Sequence, residues 1–217
     1  MLAAIPALVE AVGQRDAAAA GRGLAEISGA WDVLNAIFHR MPERCDPYIY
    51  FRRVRPYIHG WKDNPALGTG LVYEGVPEAD GAPQGFRGQT GSQSSIMPTM
   101  DALFGIQHAP DPLRMFLDEL HAYRPSAHRA FIDRVRDLSR LRDFAASGCP
   151  SLREAYNECV IRLTRFRTRH LEYAASSIHR QANNPTGNDT AVGTGGTPFM
   201  QYLKKHRDEA ERHLLLA

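Results

Sequence analysis

Apolar residues recur at three- and four-residue spacing along most of the chain. Leu24, Ile27, Trp31, Leu34 and Phe38 form the first clear stripe, which is the signature of a helix with one buried face. Residues 1–42 therefore read as helix, with Pro42 and Pro47 bracketing a short break. YIYFRRVRPYIHGW reads as a short helix interrupted at Pro56. Residues 62–91 are rich in Gly and Pro and read as an irregular excursion, with LVYEGV as a short extended piece. Helical pattern returns from about Ser92 to Gln107, with Pro98 at a kink or in the first turn, and continues over 111–123 and 125–147. The longest helix is expected from about Ser151 to about Gln181, opening on SLRE, a capping-box pattern. A polar, Gly-rich loop (183–197) then leads into a closing amphipathic helix. No repeat and no hairpin pair interrupts this order, so the expected architecture is one all-α helical domain over 1–217.

The long helix poses a question. Leu152, Tyr156, Cys159, Leu163, Phe166 and His170 follow a 4-3-4-3-4 spacing and share one face. A histidine in line with a buried stripe is most often a core residue, hydrogen-bonded to a carbonyl or carboxylate. The sharper alternative is an axial ligand to a haem iron, which needs a neutral imidazole presented rigidly into an apolar slot. Arg167, one turn earlier, is then placed to pair with a haem propionate at the pocket edge. Asp101 is a candidate partner for the second imidazole nitrogen. Spacing alone leaves both readings open.

Composition narrows the function classes. Hydrophobic residues make up 43% and charged residues 23%, and the net charge of +2 is spread along the chain. This is a globular balance, with no basic cluster of the kind that a nucleic acid or membrane surface needs. No apolar run approaches a membrane span. Three cysteines without metal-type spacing read as free thiols, and with them a cytoplasmic setting is expected.

Two glycine-bearing stretches add candidates. GTGGT at 193–197 permits close approach to a ligand, as a lid or simply as a linker. It is no phosphate loop, because neither a lysine nor a preceding strand accompanies it. FRGQTGSQSS (86–95) runs from a turn of small polar residues straight into an apolar helix. His59, His108, His121 and His128 show no mutual metal spacing and receive no catalytic role.

VRPYIHGW (54–61), LVYEGV (71–76), FRGQTGSQSSIMPTMDALFGIQH (86–108), YRPSAHRAFI (123–132), LREAYNECVIRL with FRTRHLEYA (152–174) and GTGGTPFMQYLKKHRDE (193–209) together resemble the indoleamine 2,3-dioxygenase family. They lie in family order over nearly the whole chain and correspond to the C-terminal, haem-binding part of the family's catalytic region. The resemblance implies a helical bundle like the family's large catalytic domain. It also implies haem b as cofactor, O2 as co-substrate and L-tryptophan or a related indoleamine as substrate. By the same resemblance His170 matches the proximal haem ligand, Arg167 the propionate-binding arginine and Asp101 an acidic position behind the haem. Arg55 matches the arginine that meets the substrate carboxylate, and Tyr50 an aromatic position near the indole. Gly88, Gln89, Thr90 and Gly91 match the turn lining the distal pocket, and Thr194 a loop threonine that closes the site.

The activity implied is addition of both atoms of O2 across the indole C2–C3 bond, giving N-formylkynurenine. Two alternatives stay open. One keeps the haem and acts on a modified tryptophan in secondary metabolism. The other is an inactive module that binds haem or self-associates through the surface that further N-terminal helices cover in longer relatives. Gln89 stands where some relatives carry a second glycine, and is expected to narrow the pocket.

Overall fold

A computed structural model of the chain describes residues 1–181 and 199–216. Helices α1 (Ile5–Gly13) and α2 (Ala17–His39) pack against each other, and Asp16 caps α2 by accepting from the Ala19 amide at 2.9 Å. A short helix, α3 (Pro47–Ile49), widens into a π-helical turn over Tyr50–Val54 and tightens again as α4 (Arg55–Ile58). Then follow α5 (Ile96–Phe104), α6 (Pro112–His121), α7 (Ser126–Leu138), α8 (Leu141–Ser147), α9 (Pro150–Ser177) and α10 (Phe199–Glu211). Among the described residues there is no strand, only the isolated bridges Gly60–Arg87 and Leu71–Gln84. The fold is all-α.

The core is built on α9. Leu152, Tyr156, Cys159, Val160 and Leu163 are buried against Leu24, Ile27 and Trp31 of α2 and Met100, Leu103 and Phe104 of α5. The apolar stripes of α2 and α9 meet along their length, as their periodicity demands. Further along, Phe166 lies 5.7 Å from the ring of Trp31 and stacks on Phe38 at 4.5 Å. Polar contacts tie the same seam, with the Cys159 thiol donating to the Leu24 carbonyl and the Tyr173 hydroxyl to that of Phe38. A smaller apolar cluster of Leu113, Phe116 and Leu120 joins α6 to Tyr202 and Leu203 of α10.

Local chemistry explains where the sequence pattern and the structure differ. The expected helix over 125–147 is two helices, because Ser139 is extended (φ −66°, ψ 128°) and its hydroxyl donates to the Leu103 carbonyl at 2.6 Å. That bond trades helix continuity for anchorage to α5. The capping box on SLRE is not used. Pro150 starts α9 one residue earlier, Cys149 takes the N-cap position, and no side chain caps the helix there. Pro56 does not interrupt its helix either. It sits in the first turn of α4, where a missing N–H costs nothing, and the irregularity falls in the π-turn before it.

Residues 59–95 are held without regular structure by a few specific contacts. Trp61, Tyr73 and Phe86 form an aromatic trio in which Phe86 meets the other two rings edge-on, and the Trp61 indole donates to the Gln84 carbonyl at 2.9 Å. Arg87 forks onto Glu119 of α6 at 3.0 and 2.8 Å, with Lys62 on the same carboxylate at 2.6 Å. These cations hold the Glu119 carboxyl down to about 2. Two glycines make the chain crossing possible. Gly60 has φ +74°, and a Cβ on Gly88 would sit 1.8 Å from the Ile58 carbonyl oxygen. The Gly88 amide donates to the His59 carbonyl at 3.1 Å, so the VRPYIHGW and GQTG segments touch backbone to backbone.

Candidate functional site

That crossing forms one wall of a cavity of about 520 Å³, within the usual range for small-molecule sites. Tyr50, Ile58, Gln89, Thr90, Gly91 and Ser92 line this side. His170 and Ala174 in the C-terminal third of α9, and Ile178 at its C-cap, also line the cavity at successive four-residue steps. Leu113 and Phe116 of α6 and Phe199 and Leu203 of α10 complete an apolar surround. Arg124, itself buried, holds the rim by donating to the carbonyls of Ser92 (2.7 Å) and Ser94 (3.3 Å).

His170 departs from the buried stripe that its spacing suggested. The stripe is filled from Leu152 to Leu163, Phe166 is partly buried, and His170 is solvent-accessible on the cavity wall. Desolvation, and then the nearby Arg167 charge, lower its pKa, with no hydrogen bond contributing. The outcome is a neutral imidazole facing an apolar space, which is the protonation state a metal ligand requires. Among the described residues no carbonyl or carboxylate accepts a hydrogen bond from His170. The residues present fit a haem at this position: an accessible imidazole, apolar side chains and a turn of small residues line one cavity.

Arg167 and Asp101 are elsewhere. Nη2 of Arg167 donates to both Asp101 oxygens at 2.6 and 2.7 Å, and Nη1 donates to the His206 carbonyl at 3.1 Å. Asp101 therefore does not serve as the second partner of His170; it pairs with Arg167 and with His108 at 3.3 Å. Arg167 is likewise engaged within the protein rather than lining the cavity. Arg55 is fully buried, with its guanidinium 5.6 Å over the Phe51 ring, and it too is absent from the cavity wall. Tyr50, Gln89, Thr90 and Gly91 do share the cavity with His170. Gly88 lies just behind them and supplies the close crossing. Thr194 and the loop 183–197 lie outside the described residues.

Sequence reading passed over one cluster. His108, His206 and Glu209 bring donor atoms within 4.8 Å of one another, although His108 and its partners on α10 are about a hundred residues apart in sequence. His108 places Nδ1 2.7 Å from Glu209 and Nε2 3.3 Å from Asp101, and its ring stacks on that of His206 at 4.1 Å and 17°. Two near-parallel imidazoles cannot aim their in-plane lone pairs at one ion. Lys205, 3.7 Å from Glu209, and Arg167, 2.6 Å from Asp101, already stand against the carboxylates that His108 meets. The cluster is a polar clamp, not a cation site. Burial foremost, then the charge of His108, pushes His206 down to about 4.

No helix among the described residues is long and apolar enough to cross a membrane. A family model described as Indoleamine 2,3-dioxygenase matches residues 1–213. Indoleamine 2,3-dioxygenase 1 of Rattus norvegicus is 35% identical, over 98% of this chain and 54% of its own length. A 6-hydroxytryptophan 2,3-dioxygenase of Fusarium equiseti is 30% identical, over 82% of this chain and 48% of its own. A myoglobin of Haliotis madaka is 28% identical, over 96% of this chain and 55% of its own. The chain spans about half the length of the relatives it matches.

Proposed function

Because the chain belongs to the indoleamine 2,3-dioxygenase family, we propose that its cavity is a haem site of a dioxygenase acting on L-tryptophan or a related indoleamine, with His170 as the proximal ligand. The carrying observation is His170 itself: its imidazole is accessible on the cavity wall, where burial of the ring by its surroundings and the Arg167 charge favour the neutral form. Haem b, when bound, would supply the iron that activates O2 for addition of both oxygen atoms across the indole C2–C3 bond, giving N-formylkynurenine.

The chain's own residues would do the binding and positioning. Leu113, Phe116, Phe199 and Leu203 keep the cavity apolar and exclude water from the reacting face. Tyr50 and the Gln89–Gly91 turn line the same cavity as His170 and would contact an indole ring held there. Gln89 offers an amide at the place where a substituted indole would present its ring, which bears on the choice between tryptophan and a modified one. Arg55 can meet a substrate carboxylate only if its guanidinium becomes uncovered. Arg167, held by Asp101 and the His206 carbonyl, stands one turn before His170.

A second reading, haem binding without turnover, is supported by the relative that carries the name myoglobin rather than dioxygenase. Self-association would bury the apolar side chains left exposed at Val33 and Ile37 of α2 and Tyr57 of α4, and sedimentation velocity measures it.

The test is hemin titration of the chain and of its His170→Ala variant, followed by product analysis. A saturating Soret band absent from the variant, with N-formylkynurenine formed from tryptophan under reducing conditions, is the expected result. The band without product favours the second reading. A band indifferent to the substitution, or none, overturns the assignment of His170.

A further inference from the structure

A closed polar circuit lies directly behind the turn of α9 that carries His170. Asp101 on α5 grips Arg167 through both oxygens, and Arg167 in turn donates to the His206 carbonyl. The His206 ring stacks on His108, and His108 returns to Asp101 through Nε2. At its other nitrogen His108 meets Glu209, whose second oxygen accepts from the Ala109 amide at 3.2 Å. Four parts of the chain thus converge on Arg167: α5, the link 105–111, α9 and α10. The His108 side chain is 2% exposed.

We propose that His108 is a positioning residue, clamped between Asp101 and Glu209, that holds Asp101 on Arg167 and thereby fixes the turn of α9 presenting His170 to the cavity. Its consequence for haem rests on the function proposed above.

Each step has a stated physical reason. Asp101 offers its carboxylate to a single nitrogen of Arg167, so that pair alone does not fix the rotation of the carboxylate. His108 supplies a second direction of restraint on the oxygen it shares with Arg167. Both ring nitrogens of His108 face carboxylate oxygens, at 2.7 Å to Glu209 and 3.3 Å to Asp101, so the ring is gripped from two sides. Polar contacts shielded from water in this way are a strong restraint. Arg167 stands three residues before His170, on the neighbouring line of the same helix face. Securing its guanidinium from α5 and α10 sets the rotation and depth of the helix turn that ends in the imidazole. Small errors in such placement carry large functional costs. The clamp also joins α10, the element following the Gly-rich loop, to the proximal side of the cavity.

The experiment uses the full chain and three variants: His108→Ala, Glu209→Gln and, as an unrelated control, His128→Ala, whose ring bonds to Ser95 outside the cluster. Amide hydrogen exchange without hemin is followed by the rate of hemin loss from each loaded protein. Expected are at least tenfold faster exchange over residues 166–171 in His108→Ala, a smaller change in Glu209→Gln, and none over the core segment 156–163. Hemin loss should quicken at least fivefold in His108→Ala, and His128→Ala should behave as the parent chain. Unchanged exchange over 166–171 overturns the clamp whatever hemin does. Acceleration spread equally into 156–163 overturns it as well, since that is general destabilisation. Local acceleration in a chain whose parent shows no His170-dependent Soret band upholds the clamp and removes the haem assignment instead.

Discussion

The two ends of α9 carry the same stripe into different surroundings. From Leu152 to Leu163 the stripe meets side chains of α2 and α5 and is buried almost completely. From His170 to Ile178 it continues in register but meets a cavity. The first stretch stabilises the fold, and the second faces a space that a ligand would fill. Periodicity states which residues share a face, and says nothing of whether that face is filled by protein.

The largest effect expected from this contrast is a reversal between two truncations on one helix. Leu163→Ala removes a fully buried side chain and should cost about 2–5 kcal/mol of unfolding free energy, with little direct effect on the cavity. His170→Ala should change stability by no more than about 0.5 kcal/mol while abolishing the hemin Soret band. Denaturant unfolding of both variants, followed by hemin titration, checks the pair. A loss above about 2 kcal/mol in His170→Ala would return the histidine to the structural end of the helix.

A second effect sharpens the cavity side. Gly88→Ala drives a Cβ into the Ile58 carbonyl oxygen and the His59 backbone, which must separate the crossing. Overpacking of this kind costs about 1–3 kcal/mol. The cost should fall on the distal wall: ligand binding should weaken while the near-ultraviolet signal of the α2–α9 core persists. Unchanged binding and stability would mean that the crossing is not what shapes the wall.

The smallest effect concerns pH. His206 is held at about 4 in the folded chain, below the roughly 6.5 of an exposed histidine. The unfolded chain therefore binds more protons between those values, so this contribution is complete above about 6.5 and is lost as pH falls toward 4. Asp101 and Glu209 are also lowered, Asp101 chiefly by Arg167 and Glu209 by His108, acting against burial. Their contributions disappear at still lower pH. Thermal unfolding from pH 7.5 to 4 should decline, and His206→Gln should flatten that decline. An unaltered slope in the variant would place the titration elsewhere.

The helices were legible in the sequence because their cause is local. The stripe Leu24, Ile27, Trp31, Leu34, Phe38 and the stripe of α9 each determined a face, whereas α5, expected to reach about Gln107, ends at Phe104 because Gly105 turns left-handed (φ 68°). The motif resemblance brought Tyr50, Gln89, Thr90, Gly91 and His170 forward, and the structure gathers these around one cavity. What the sequence could not show was pairing. Arg167 and Asp101 were expected at a propionate and as a partner of the His170 imidazole or behind the haem, and in the structure they also meet each other. His108 was dismissed for want of metal spacing, although its partners lie on α10 and α5.

The sequence by itself determined the helical class, the helix faces and the side of α9 on which His170 lies, since a side chain's direction follows from its position in a regular helix. Tertiary structure alone decided that His170 looks into space while Leu163 looks into protein, and that Arg167 is locked to Asp101. Charges and cavities depend on which distant elements arrive, and the covalent chain carries no local record of that meeting.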